Sequence, residues 1–118
     1  FETALEDGEI LQKVKFPKPH ISLYKKLPNP ASRYAVVGVF LARRNSQVRV
    51  AITGAAPSVF RAAELESRLA ESFSVDAIEN VILENELMND DMHASAAYRA
   101  SLCVVMTKRA VADILKVS

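Results

Sequence analysis

The stretch from residue 33 to residue 57 combines two hydrophobic patterns that together predict a β-hairpin. Residues 34–42 are almost continuously apolar, which is typical of a strand covered on both faces. Val48, Val50 and Ile52 then alternate with polar or small residues, as in a strand with one solvated face. The polar tract 43–47 between them carries the Asn and Ser that turns favour. We expect this hairpin to form the middle of an antiparallel sheet.

Two further strands are predicted before the hairpin. Apolar and polar residues alternate over residues 9–16, and the same pattern recurs over residues 21–24. Pro17 and Pro19 separate these segments, because proline cannot donate a hydrogen bond to a strand ladder. Residues 27–32 contain two more prolines and two turn formers, and they predict a loop of restricted backbone freedom.

Beyond residue 57 the hydrophobic spacing becomes helical. Apolar residues recur every three or four positions between residues 62 and 73, with Glu64 and Glu66 among the polar positions. A second helix is expected from its N-cap Ser74 to about residues 89–91, and a third from about Ser95 to residue 117. The sequence therefore predicts an α+β sandwich. Three helices would pack on one face of an antiparallel sheet of three to four strands.

Length and charge narrow the function classes. The 118 residues are enough for a single domain, assigned to residues 1–118. A formal net charge of +1 gives no electrostatic argument for nucleic acid or an anionic membrane as a partner. The longest apolar runs are shorter than the ~20 residues of a membrane-spanning helix, so no membrane insertion is expected.

Cys103 is the single cysteine of the chain and lies among apolar residues in a segment that is predicted to be helical. A disulfide framework is thereby excluded, and a reducing compartment, the cytoplasm, is expected. A cysteine in such surroundings is more often a small core residue than a nucleophile. A stand-alone hydrolase built on Cys103 and His93 therefore has little support. Because the chain opens on Phe1 and not on Met, we expect it to be part of a longer polypeptide.

The positions of the glycines argue against a phosphate-binding loop in this chain. Gly8, Gly38 and Gly54 are isolated, so no glycine-rich loop precedes a helix to hold a phosphate. If a nucleotide is involved, another domain must bind its pyrophosphate.

Asp90, Asp91 and His93 cluster before the last predicted helix and allow two interpretations. They could ligate a metal or form a carboxylate-oriented acid–base histidine. Alternatively, an Asp or a Ser caps the helix and the acidic residues complement its dipole. Arg99 and Arg109, further along this helix, are expected to be surface or interface charges.

The segment from Tyr24 to Tyr34 is the candidate ligand-binding region. It places Tyr24, Lys26, Ser32, Arg33 and Tyr34 around two conformationally restricted prolines. Aromatic rings beside cations suit a planar, electron-rich or anionic ligand. The alternative is a polar crossover at the end of the sheet with no ligand.

Several stretches, in order along nearly the whole chain, resemble a known family. They are GEIL at 8–11 with FP at 16–17, YKKL at 24–27, SRYA at 32–35 with VGV at 37–39, TGAAP at 53–57 with FRA at 60–62, DMHASAAYR at 91–99 and KRA at 108–110. This ordered set is similar to the C-terminal domain of the FAD-binding medium subunit of molybdenum hydroxylases. That family includes carbon monoxide dehydrogenase flavoproteins and the flavin portion of xanthine dehydrogenases.

The resemblance implies a cofactor and partners. FAD would be held mainly by two preceding FAD-binding domains that this chain lacks, and the isolated domain would be inactive. An iron–sulfur subunit and a molybdenum subunit would be partners that carry their own cofactors and pass electrons to FAD. Tyr24, Lys26, Ser32, Arg33 and Tyr34 would line the ring side of the flavin, with no catalytic residue and no metal ligand in this chain.

Two further points follow from the comparison with the family pattern. Many relatives carry an aromatic residue where this chain has Ser22, so a stacking or gating role at that position is in doubt. A rival hypothesis makes the chain an assembly module that docks the partner subunits and has no direct contact with flavin.

Overall fold

The computed structural model describes residues 3–118 and contains one four-stranded antiparallel sheet with two α-helices. The strands follow one another in space as they do in sequence, in the order β1-β2-β3-β4. The α+β class and the antiparallel sheet are therefore confirmed, but the prediction of three helices is wrong. The elements are β1 Ile21–Pro28, β2 Ala35–Arg44, β3 Gln47–Thr53, β4 Phe60–Arg61, α1 Ala63–Glu71 and α2 Ala96–Val117.

The predicted central hairpin is confirmed. Strands β2 and β3 pair from Gly38 opposite Thr53 to Arg44 opposite Gln47. Asn45 lies in the turn with a φ of 54°, a left-handed conformation that asparagine tolerates better than most residues. The hairpin therefore ends at the polar tract that its sequence indicates.

The sheet has one face covered by helices and one that no helix covers in the described part of the chain. We call these the inner and the outer face. The inner face carries β2 and β3 side chains that are at most 2% exposed, and the helices α1 and α2 pack on them. On the outer face Phe40 remains 43% exposed, so the expectation that β2 is covered on both faces is wrong. The buried inner-face side chains are Val37, Val39, Leu41, Val48, Val50 and Ile52.

The prediction of a strand over residues 9–16 is wrong, because no strand forms there. We call residues 9–19 the arm; they adopt no regular secondary structure. Alternation alone does not make a strand, because a strand also needs a hydrogen-bonded neighbour, and Pro17 and Pro19 interrupt the run just before β1. Phe16 remains 79% exposed and Ile10 77% exposed. Strand β1 itself is longer than predicted and continues to Pro28, where the pairing register shifts.

The second predicted helix is also wrong, because only a 3-10 turn over Asp76–Ile78 forms. The predicted cap residue Ser74 accepts a hydrogen bond from the backbone N–H of Ala77 at 3.2 Å, but the N-cap position of the turn is Val75. The chain then continues without helix, and Ile82 and Leu87 stay 85% and 83% exposed. A short helix depends on burying its apolar stripe. Here only Ile78 and Val81 pack into the core, and the rest of the predicted stripe stays exposed.

The two remaining helices agree with their predicted positions. The Ser95 hydroxyl caps α2 by accepting from the N–H of Tyr98 at 3.2 Å. Helix α2 packs across β1 and β2, and Asp113 on it forms an ion pair with Lys25 of β1. Within residues 3–118, no helix is both long and apolar enough to cross a membrane.

Glu66 of α1 closes the edge of β3, although its spacing predicts a polar surface position. It is 7% exposed and accepts a hydrogen bond from the N–H of Val50 at 2.9 Å and one from Arg61 Nε at 3.0 Å. Burial by itself would raise the pKa of Glu66, but the hydrogen bonds from Arg61 and Val50 outweigh it and lower the pKa. Because β4 is only two residues long, the carboxylate takes over part of its pairing role.

Candidate functional site

The turn between β1 and β2 is closed by its own hydrogen bonds. The N–H of Asn29 donates to the Tyr34 carbonyl at 2.7 Å, and the N–H of Arg33 donates to the Asn29 carbonyl at 2.9 Å. The Asn29 side chain accepts from the N–H of Ala31 at 3.0 Å, and the Ser32 hydroxyl accepts from the N–H of Tyr34 at 3.3 Å. Arg33 has a φ of 66°. This predicted loop is therefore a defined turn.

Next to the turn, the outer face presents Tyr24 over a glycine. Tyr24 is 48% exposed, and its hydroxyl lies 3.3 Å from the Thr53 hydroxyl across the sheet. Gly38 lies between their two strands, and a Cβ there would overlap both the Tyr24 phenol and the Thr53 hydroxyl. The missing side chain thus lets the phenol ring lie close to the sheet.

Lys26 links this face to the turn. It lies beside Tyr24 on the outer face, one pleat further along β1, and its Nζ donates to the carbonyl of Arg33 at 3.1 Å. The ammonium is thereby held at the turn end of the β1–β2 hairpin. Tyr34, at the end of the turn, is 81% exposed.

The five predicted ligand-binding residues therefore lie at one end of one hairpin, but they do not line a single pocket. Tyr24 and Lys26 lie on the outer face, whereas Ser32 and Tyr34 also border a polar cavity of about 210 Å³ on the side of the turn. Arg33, in a left-handed conformation, offers its carbonyl to Lys26 and does not border that cavity. Their contact with a flavin stays a prediction.

The polar cavity contains a buried arginine that the sequence places wrongly at the surface. Arg99 is 4% exposed, and its Nη1 donates to the carbonyls of Val36 at 2.7 Å and Gly54 at 3.2 Å. Its Nη2 donates to both carboxylate oxygens of Asp91 at 2.9 and 3.0 Å. Helical spacing could have indicated this, since Arg99 lies four residues before the buried Cys103. Arg99 joins the start of α2 to the ends of β2 and β3.

Asp91 caps the turn that precedes α2, whereas the N-cap of the helix itself is Ser95. The Asp91 Oδ1 accepts from the N–H groups of His93 at 3.0 Å and Ala94 at 3.1 Å. These two bonds, together with the Arg99 guanidinium, lower the pKa of Asp91. Asp90 accepts from the N–H of Ala96 at 3.3 Å, at the first turn of α2. Within residues 3–118, no three His, Cys, Asp or Glu side chains converge as metal ligands would.

Cys103 is a core residue, as predicted. It is fully buried on the inner side of α2, and burial raises the pKa of its thiol to about 11. The group is therefore a neutral thiol at physiological pH and a poor nucleophile.

The described residues offer groups that suit a planar ring system, but they offer no phosphate-binding loop. Both helix N-termini are unsuited to a phosphate, because Ser95 already caps α2 and α1 begins without a glycine-rich loop. In contrast, the exposed Tyr24 ring and the Lys26 ammonium offer stacking and a positive charge to a planar ring system.

Comparison with known proteins gives one match. The family model of the CO dehydrogenase flavoprotein C-terminal domain matches residues 22–114. No curated protein and no solved structure matched the chain. The matched range includes the sheet except Ile21, both helices except the last residues of α2, and the turn at residues 29–34. The chain therefore belongs to the CO dehydrogenase flavoprotein C-terminal domain family.

Proposed function

We propose that this chain is the C-terminal domain of the FAD-containing subunit of a molybdenum hydroxylase-type oxidoreductase. In this proposal it covers one side of the flavin ring while iron–sulfur clusters of a partner subunit pass electrons to FAD. The family membership supports the flavoprotein part. The observation that carries the ring-side role is the half-exposed Tyr24 ring, fixed beside the Lys26 ammonium on the outer face.

The role assigned to these residues is positioning and electrostatics. FAD, when bound, supplies the redox chemistry. Tyr24 offers an aromatic surface whose orientation is fixed by Thr53 and by the lack of a side chain at Gly38. Lys26 offers a positive charge at a fixed place, which would favour added negative charge on a neighbouring ring. No residue of this chain acts as a nucleophile or general base in the proposal.

The remaining parts of the complex are assigned to other chain segments and subunits. FAD-binding domains that precede this one would hold the adenine and pyrophosphate, and residues 1–118 would form the last domain. An iron–sulfur subunit and a molybdenum subunit would be the partners, in the cytoplasm. This division agrees with the lack of a phosphate-binding loop in the sequence.

A second function is favoured by a different surface. Ile82, Leu87 and Met92 are 85%, 83% and 93% exposed on the irregular segment between α1 and α2. Exposed apolar side chains close together in sequence suit a docking surface for another subunit. The chain would then serve assembly alone and would have no contact with flavin.

One experiment separates the two functions. Tyr24→Ala and Lys26→Gln are made in the full-length flavoprotein subunit and co-purified with its partners. Lost FAD content or slower FAD reduction by substrate, with normal co-elution in size-exclusion chromatography, supports the ring-side role. Lys116→Gln is the matched control, because Lys116 lies 74% exposed at the far end of α2.

A second pair of variants tests the alternative. Ile82→Ser with Leu87→Ser should leave FAD content unchanged if the ring-side proposal is right. If this pair abolishes co-elution of the subunits while Tyr24→Ala and Lys26→Gln change neither FAD content nor FAD reduction, the assembly function replaces the first proposal.

A further inference from the structure

We propose that the cavity between the arm and the outer face binds a planar aromatic anion. The cavity has a volume of about 490 Å³, within the range of roughly 300–1,000 Å³ typical of small-ligand pockets. This inference goes beyond the flavin role and does not depend on it. The residues that line this cavity include Phe16, Pro17, Phe40, Ala42, Arg44 and Arg49.

Two phenylalanines give the cavity its aromatic surfaces. Phe40 lies on β2 and forms part of the floor together with Ala42, two residues further along the same face. Phe16, on the arm, forms a wall and is 79% exposed. Aromatic rings in such a setting gain from a stacked or edge-on ring and from the removal of water. A flat apolar ligand therefore fits between arm and sheet.

Two arginines give the same cavity its charge. Arg44 makes no hydrogen bond or ion pair with any side chain in the described part of the chain. Arg49 is 51% exposed, and its Nη1 lies 3.9 Å from a Glu66 carboxylate oxygen. That carboxylate is already bonded by Arg61 through Nε and Nη2. Arg49 Nη1 also donates to the Val48 carbonyl at 3.3 Å. The remaining guanidinium donors of Arg44 and Arg49 are left for an anion, to which they bind through charge-assisted hydrogen bonds.

A third arginine at the rim is excluded from this role. The guanidinium of Arg43 lies 4.6 Å from the centroid of the Phe73 ring and is thus engaged in a cation–π contact. The backbone of Arg43 instead anchors the arm, because its carbonyl accepts from the N–H of His20 at 2.9 Å. His20, the residue after the arm, is thereby bonded to the sheet next to the β2–β3 turn, so the arm leaves the sheet beside the two arginines.

The probe that tests this proposal is naphthalene-2-sulfonate, titrated into the purified protein and followed by its own fluorescence. The chain has no tryptophan whose emission would overlap. We expect saturable binding that weakens by roughly tenfold or more in Arg44→Gln/Arg49→Gln, since two charge-assisted contacts are lost. Phe40→Leu should weaken binding by a smaller factor. Naphthalene-2-methanol, which lacks the charge, and inorganic sulfate, which lacks the ring, should each bind more weakly than the probe.

The control is Arg68→Gln/Arg109→Gln, which removes the same charge from exposed sites on the two helices. It should leave the affinity for the probe unchanged, and circular dichroism melts confirm that each variant is folded. If the double variant does not fold, Arg44→Gln and Arg49→Gln are titrated singly and each should weaken binding several-fold. No saturable binding, equal affinity for the neutral analogue, or unchanged affinity in the arginine variants would overturn the proposal.

Discussion

The same strands form both faces of the sheet, but the side chains on the two faces differ in how deeply they are buried. On the inner face, neighbouring side chains of β2 and β3 are almost fully buried and contribute to stability by packing. On the outer face, Tyr24 and Phe40 lie opposite each other on β1 and β2 and remain 48% and 43% exposed. A face that retains aromatic rings in contact with water gives up stabilisation that burial would provide. The inner face therefore contributes most of the stability, and the outer face leaves aromatic rings accessible.

The largest expected effect contrasts two residues that neighbour each other on β2. Leu41→Ala, on the inner face, should lower the free energy of unfolding by about 2–5 kcal/mol, because it opens a cavity in the core. Phe40→Ala, on the outer face, should lower it by roughly 1 kcal/mol, since its ring is only partly buried. Urea denaturation of both variants measures the difference. Equal losses would contradict the division between the faces.

The next effect concerns the arginine at the end of the sheet. Arg99→Met should lower the free energy of unfolding by about 2–4 kcal/mol, because the carbonyls of Val36 and Gly54 lose their donor. Arg109→Met on the exposed side of the same helix is the matched control and should change it by about 0.5 kcal/mol or less. Thermal melts compare the two. If Arg99 were an ordinary surface residue, the two variants would lose the same free energy of unfolding.

A smaller effect tests the close packing on the outer face. Gly38→Ala should lower the free energy of unfolding by roughly 1–3 kcal/mol, because the new methyl group displaces the Tyr24 phenol and the Thr53 hydroxyl. The same substitution made in a Tyr24→Ala background should cost less. A double-mutant cycle by urea denaturation gives the coupling. Additive losses would show that Tyr24 does not rest on Gly38.

The smallest effect depends on pH. Because the folded-state pKa of Glu66 is lowered, its carboxylate stabilises the fold above its unfolded pKa, and this stability is lost as the pH falls through the folded pKa. The advantage of the wild type over Glu66→Gln should therefore be about 1–2 kcal/mol at pH 7 and shrink towards pH 3. Glu64→Gln, at a side chain 50% exposed on the same helix, should show little pH dependence. A constant Glu66 difference across this range would contradict the assignment.

The hydrophobic patterns of the sequence predict correctly those strands and helices that bury their apolar side chains in the fold. The continuous and alternating runs predict β2 and β3 because both strands bury a complete inner face. The helical spacing predicts α1 and α2 for the same reason. The arm shows a comparable pattern, but its apolar side chains are exposed. After Ile78 the pattern is only partly buried, since Val81 lies in the core while Ile82 and Leu87 are exposed. Hydrophobic periodicity indicates which side chains could be buried together. It does not indicate which other segment or subunit would cover them.

The candidate binding segment was located in the sequence, and its contact with a ligand stays a prediction. Turn chemistry and aromatic–cation composition indicate the segment from Tyr24 to Tyr34, and its residues lie together at one end of the β1–β2 hairpin. The buried Arg99 and Glu66 were missed because charged residues are seldom buried unless they are paired. Their partners are backbone groups and side chains that only the folded chain brings near.

The central claim is that the outer face borders the flavin, and the three tyrosines of the chain test it directly. Hydroxyl-radical footprinting of the full-length flavoprotein subunit, with and without FAD, measures their exposure by mass spectrometry. Tyr24, Tyr34 and Tyr98 are 48%, 81% and 51% exposed in this domain. We predict that FAD slows oxidation of Tyr24 and Tyr34 and leaves Tyr98, on α2, unchanged. Equal oxidation of Tyr24 and Tyr34 in the two states would contradict the claim.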